Sequence, residues 1–185
     1  MGSNLTTFRN NAKIPDNSPL LYRPITIMKE HFASFKAICD NFFLDLKEFE
    51  QIFGVGEPSF IIWDSDKNGV IDALELFAGL ICFSTAKFED KIRFLFEIFD
   101  LNEADVLCPV DIEFILFSSL SSAFKIYGIK KVVEVEEIAA FIGNKYSDPE
   151  AQINISNLIK FARENKEILE FFEIIDSHNK LTKPK

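Results

Sequence analysis

One twelve-residue stretch, DSDKNGVIDALE at 64–75, carries oxygen donors at the spacing a hard divalent cation requires. Asp64, Asp66 and Asn68 occupy loop positions 1, 3 and 5, Val70 at position 7 offers its backbone carbonyl, and Asp72 at position 9 reaches directly or through a water. Glu75 at position 12 closes the shell with both carboxylate oxygens from the start of the next helix. A cation of calcium's size takes six to eight oxygens at about 2.3–2.6 Å, and alternate residues of a tightly turning loop aim theirs inward. Gly69 permits positive φ at the sharp turn, and Ile71 points away from the ion toward a neighbouring loop. The alternative is an acidic solvated turn that binds nothing. Against it stand the complete donor set, the mutual repulsion of four carboxylates without a cation, and the apolar flanks Trp63, Leu76 and Phe77. The expected metal ligands are therefore Asp64, Asp66, Asn68, Val70, Asp72 and Glu75, and the expected cofactor is Ca2+. The bidentate reach of Glu75 favours calcium over magnesium.

A loop of this kind needs a helix on each side. Phe88, Ile92, Leu95, Phe96 and Phe99 line one face at helical spacing, and similar periodicity predicts helices over 25–38, 46–53, 59–63, 73–83, 111–127, 133–142 and 156–175, the last bent or broken. Gly54, Gly56, Pro58, Gly69, Pro109, Gly143 and Pro149 punctuate them. No alternating segment of strand length competes, so the fold class is all-α. Residues 1–24, with Pro15, Pro19 and Pro24 and no sustained apolar period, read as an extended or disordered arm.

Composition bounds the function. The 185 residues include 29 acidic and 20 basic side chains for a net charge of −9, which suits cations or basic partner segments and argues against nucleic acid. Charges interrupt the apolar residues too often for a bilayer-spanning run. Cys39, Cys82 and Cys108 form no C-x-x-C pair and read as buried thiols of a reducing compartment. With no secretory pattern at the start, the expected location is cytoplasmic. Gly2 begins a loose N-myristoylation pattern, MGSNLT, and only an acyl chain there would bring the protein to a membrane, marginally, since no polybasic cluster follows. An enzyme is not expected: His31 and His178 stand in unrelated contexts without a paired nucleophile, and there is no phosphate-cradling glycine loop.

The loop at 64–75, the run FEDKIRFLFEIFDLN at 88–102 and the tail ISNLIKFARENKEILEFF at 155–172 together resemble the EF-hand superfamily, in its branch of neuronal calcium sensors, calcineurin B-like proteins and calaxin. The resemblance covers about residues 32–175 and implies four helix-loop-helix hands in two pairs: an N-terminal pair at 25–86, a degenerate C-terminal pair with a C-terminal helix at 87–176, and a tail at 177–185. Only the second hand retains its ligands. The third loop opens Asp100-Leu101-Asn102 but has Ala104 at position 5, Asp105 in place of glycine, Cys108 at position 9 and Asp111 at its end. The first, ending around 44–48, and the fourth, roughly 146–157, lack most donors and read as structural.

The family likeness implies a non-enzymatic regulatory or structural subunit that works through protein contacts, either a calaxin-like component of the ciliary axoneme or, alternatively, a neuronal-sensor-like or calcineurin-B-like regulator of an enzyme or a membrane-surface switch. Calcium then either switches the chain or stabilises it. Twenty-one phenylalanines exceed what a small core needs, and Phe42, Phe43, Phe94, Phe117, Phe171 and Phe172 stand on faces open to two readings, a Phe-rich interior or a groove for a protein partner. With two methionines, a fixed partner fits better than promiscuous binding.

Overall fold

The computed structural model of the protein describes residues 19–127 and 135–181. Local signals account for most element ends. Helix α1 (Ile25–Ile38) follows Pro24. The short strand β1 (Phe43–Asp45) leads into α2 (Leu46–Phe53), where Asp45 accepts the Glu48 amide and the Glu48 side chain returns to the Asp45 amide in a capping box. Gly54 ends α2 in the left-handed region at φ 66°, a conformation that costs glycine nothing. Helix α3 (Glu57–Trp63) has Pro58 in its first turn, where a missing N–H is harmless. Strand β2 (Val70–Asp72) precedes α4 (Ala73–Cys82), capped by Asp72.

Helices α5 (Phe88–Phe99), α6 (Pro109–Tyr127), α7 (Val135–Lys145), α8 (Ile155–Glu164) and α9 (Lys166–Leu181) complete the order. The break expected within 156–175 falls at Asn165. This residue is extended at φ −96° and ψ 110°, and its side-chain oxygen accepts the Ile168 amide at 3.1 Å, starting a new helix. Helix α9 continues to Leu181, into the segment read as a tail.

The two strands pair antiparallel with Phe43 opposite Asp72, Leu44 opposite Ile71 and Asp45 opposite Val70. Three residues per strand are too few to show alternation, so periodicity alone does not reveal them. Leu107 and Ile153 form a second bridge, exchanging N–H···O bonds of 2.9 and 2.8 Å.

Phe77 of α4 is fully buried between α1 and α2, with Phe32, Phe35 and Phe53 at ring-centroid distances of 5.1, 5.7 and 5.7 Å. On α5 the expected apolar face turns inward: Ile92, Leu95, Phe96 and Phe99 are buried. Lys91 is buried as well, its ammonium donating to the Cys82 carbonyl at 2.8 Å and to Asp176 Oδ1 of α9 at 2.7 Å. Of the phenylalanines open to two readings, Phe94, Phe171 and Phe172 are core, Phe117 is half-buried, and Phe42 and Phe43 are exposed. Cys82 alone of the three cysteines is fully enclosed.

The last part of the segment read as an arm is not extended. Residues 19–22 form a turn, and Leu20 and Leu21 are buried in the core. Residues 1–18, including Gly2, lie outside the described residues, as do 128–134. Among the described residues no helix is long and apolar enough to cross a membrane.

Candidate metal centre

The loop between α3 and α4 is wound around Asp64. This residue ends α3, is buried, and accepts the Asn68 amide on Oδ1 and the Gly69 amide on Oδ2, each at 3.1 Å. Asp66 accepts the Asn68 amide at 3.4 Å and the Asn68 side-chain NH2 at 2.8 Å, while Asn68 Oδ1 accepts the Val70 amide at 2.9 Å. Two left-handed residues, Lys67 at φ 59° and Gly69 at φ 86°, give the loop its curl. Asp72 Oδ1 accepts the Glu75 amide at 2.8 Å, which joins helix cap and loop end in one contact. Crowding by the surrounding chain raises the Asp72 carboxyl above its usual 3.8, although the residue as a whole is exposed; the Glu75 amide and Lys125 oppose the shift, and the Glu75 charge adds to it.

The same winding recurs in the loop after α5, which begins at Asp100, 36 residues on (100 − 64). Asp100 accepts the Ala104 amide on Oδ1 at 3.0 Å and the Asp105 amide on Oδ2 at 2.9 Å, and Glu103 and Asp105 take φ of 53° and 59°. Each bonded pair and each left-handed residue is displaced by the same 36 positions, and Leu107 bridges to Ile153 as Ile71 bridges to Leu44. One carboxylate satisfying two amides is enough to hold this backbone, so the winding survives the loss of donors at 104 and 108. Asp105 does so without glycine's freedom. Asp111 departs from the pattern: its Oδ2 accepts the Cys108 amide at 2.7 Å, as a local cap.

The Glu75 carboxylate is held by α6. Its Oε1 accepts the Ser121 hydroxyl, and its Oε2 accepts the Lys125 ammonium at 2.6 Å, both from α6. The Ser122 hydroxyl donates to the Glu75 carbonyl, and Lys125 also reaches the Trp63 carbonyl at 3.5 Å. Side-chain exposures of 15% for Glu75 and 25% for Lys125 make this a partly buried pair. Lys125 and Ser121 carry no signal in the sequence, because they lie in a different helix-loop-helix segment from the loop they contact.

Asp64, Asp66 and Asn68 thus converge on one short run of amides, Val70 and Asp72 follow on β2, and the carboxylate of Glu75, in the first turn of α4, is bonded to α6. Among the described residues, no three His, Cys, Asp or Glu side chains are gathered closely enough to hold a metal ion as they stand. The donor chemistry nevertheless fits a hard cation: Asp64, Asp66, Asn68, Asp72 and Glu75 offer side-chain oxygen and Val70 its carbonyl, and the side chains would have to draw together around the ion. His31 packs against the Phe53 ring at 4.9 Å, and the side chain of His178 lies outside the described residues. No protein-family model matches the chain.

Proposed function

We propose that the protein is a calcium-binding EF-hand protein acting as a non-enzymatic subunit through protein contacts, with Asp64, Asp66, Asn68, the Val70 carbonyl, Asp72 and Glu75 as the ligands of one ion. The observation that carries this reading is the repeated loop: the same carboxylate-to-amide bonds and left-handed residues at 64–69 and 100–105, each followed by a bridge to another loop. Paired helix-loop-helix units account for that repetition economically, and capping of α2, α4 and α8 by Asp45, Asp72 and Asn154 extends it to the first and fourth units. Only residues 64–75 combine the winding with a full donor set.

The bound ion would supply positive charge at the junction of β2 and α4. Apolar docking is favoured by the exposure of Phe42, Phe43, Ile61 and Phe114, side chains that water solvates poorly. The resemblance to calaxin extends the proposal to an axonemal setting.

A calorimetric calcium titration in millimolar magnesium, with Trp63 emission followed in parallel, tests the reading. One site is expected in the sensor range of about 10⁻⁷ to 10⁻⁵ M, lost in Glu75→Gln and weakened in Asp66→Ala. An intact, folded chain that takes up no calcium rules the reading out.

A further inference from the structure

We infer that Lys125 and Ser121 are positioning residues for Glu75: by holding its carboxylate on α6 they set the cation affinity of the loop at 64–75, and cation binding frees α6 from the start of α4. The inference rests on the calcium reading above and adds the device that regulates it.

Both oxygens of Glu75 are committed to α6, one to the Ser121 hydroxyl and one to the Lys125 ammonium. A bidentate ligand must bring both oxygens to the ion, so the two contacts that hold the Glu75 carboxylate on α6 compete with its closing of the loop. Lys125 also spans the loop from outside, reaching the Trp63 carbonyl just before residue 64 and the carboxylate of residue 75 at its end. Its ammonium therefore opposes a cation twice. It holds the closing ligand, and its own charge repels a second positive charge nearby. In a partly buried site that repulsion is screened less than in bulk water.

The contact reaches further than one ion pair. The Ser122 hydroxyl bonds the Glu75 carbonyl, and one turn on, Gly79 meets Ser122 so closely that an added Cβ would lie 2.6 Å from the serine Cβ. Helices α4 and α6 share the most extensive helix–helix contact among the described residues. Departure of Glu75 leaves the Lys125 ammonium half-enclosed without its carboxylate, which favours an outward movement of that end of α6 into solvent. By linkage, whatever loosens α6 also raises cation affinity.

The test compares calcium calorimetry of the wild type, Lys125→Met, Lys125→Arg and Ser121→Ala, with amide hydrogen exchange of α6 measured in chelator and in calcium. Lys125→Met is expected to bind about tenfold more tightly, Ser121→Ala about threefold, and Lys125→Arg, which keeps charge and donor, as the wild type does. Calcium should speed exchange in α6 of the wild type and leave Lys125→Met unchanged. Equal affinities in wild type and Lys125→Met overturn the latch and leave the calcium reading standing. A lower affinity in Lys125→Met overturns it too. Absence of binding in every folded variant overturns the calcium reading and the latch together. Ser121→Ala removes a single hydroxyl and keeps the test decisive should Lys125→Met fold poorly.

Discussion

Gly79 of α4 and Ser122 of α6 face each other at a crossing with no room for a methyl group: a Cβ at 79 would lie 2.6 Å from Ser122 Cβ and 2.9 Å from Trp63 Cη2. Helix interiors ordinarily favour alanine over glycine by about 1 kcal/mol, so a glycine here reflects the close approach. Gly79→Ala should lose about 1–3 kcal/mol to overpacking, in part offset by propensity. Gly143→Ala in α7, where nothing stands within 4 Å, should instead gain a few tenths to about 1 kcal/mol. Urea unfolding followed by Trp63 emission measures both, and a stabilised Gly79→Ala protein would show that the helices sit further apart.

The buried Lys91 predicts an asymmetry. Its side chain is 0% exposed, whereas its partner Asp176 is 39% exposed. Removing the carboxylate strands a buried ammonium with the Cys82 carbonyl and the Phe172 ring, while removing the ammonium leaves a carboxylate that water can reach. Asp176→Ala should therefore destabilise by about 3 kcal/mol and Lys91→Met by less. Equal losses in thermal unfolding of the two variants would contradict the difference in burial.

His31 links stability to pH. Burial against the Phe53 ring lowers its pKa from 6.5, the Ile52 backbone contact and the charge of Glu30 oppose that, and Arg23 adds to it. A base with a depressed folded pKa binds more protons when unfolded, so its contribution is complete above about pH 6.5 and is lost as pH falls through that value toward the folded pKa. Between pH 7.5 and 5.5 the wild type should lose more thermal stability than His31→Leu. Parallel curves for the two proteins would remove His31 from the account.

Cys82 is fully buried, and enclosure pushes its thiol up to about 11; the Ser119 hydroxyl and the charge of Lys91 pull the other way. A neutral, enclosed thiol does not react, so labelling of Cys82 with a thiol reagent at pH 7.5 should wait for global unfolding and accelerate with urea as stability falls. Cys39, also raised to about 11 but half-exposed, should label slowly without that urea dependence. The two cysteines reacting at one common rate would mean that α4 opens locally.

Features set within a few residues are legible in the sequence itself. The apolar period of α5, the glycine at 54 and the sharp turn at Gly69 depend on neighbours at most a few positions away, and the sequence displays those neighbours directly, whereas the caps Asp45 and Asp72, equally local, emerge only with the structure. The departures from the ligand pattern at 104, 105 and 108 are equally plain, but not that Asp105 takes glycine's conformation, because the amide bonds to Asp100 that impose it are a property of the folded loop.

What tertiary structure alone decided is which faces meet. Composition could not tell Phe94, Phe171 and Phe172, which are buried, from Phe42 and Phe43, which are exposed, since one residue type serves both purposes. Nor could it show that Leu20 and Leu21 belong to the core. The same holds for Glu75: a twelve-residue pattern singles it out, yet the side chains of Ser121 and Lys125, brought to it by the crossing of α4 and α6, determine where its carboxylate lies. Local interactions choose helices and loops, whereas long-range packing chooses partners, and a charge follows the partner that enclosure makes strongest.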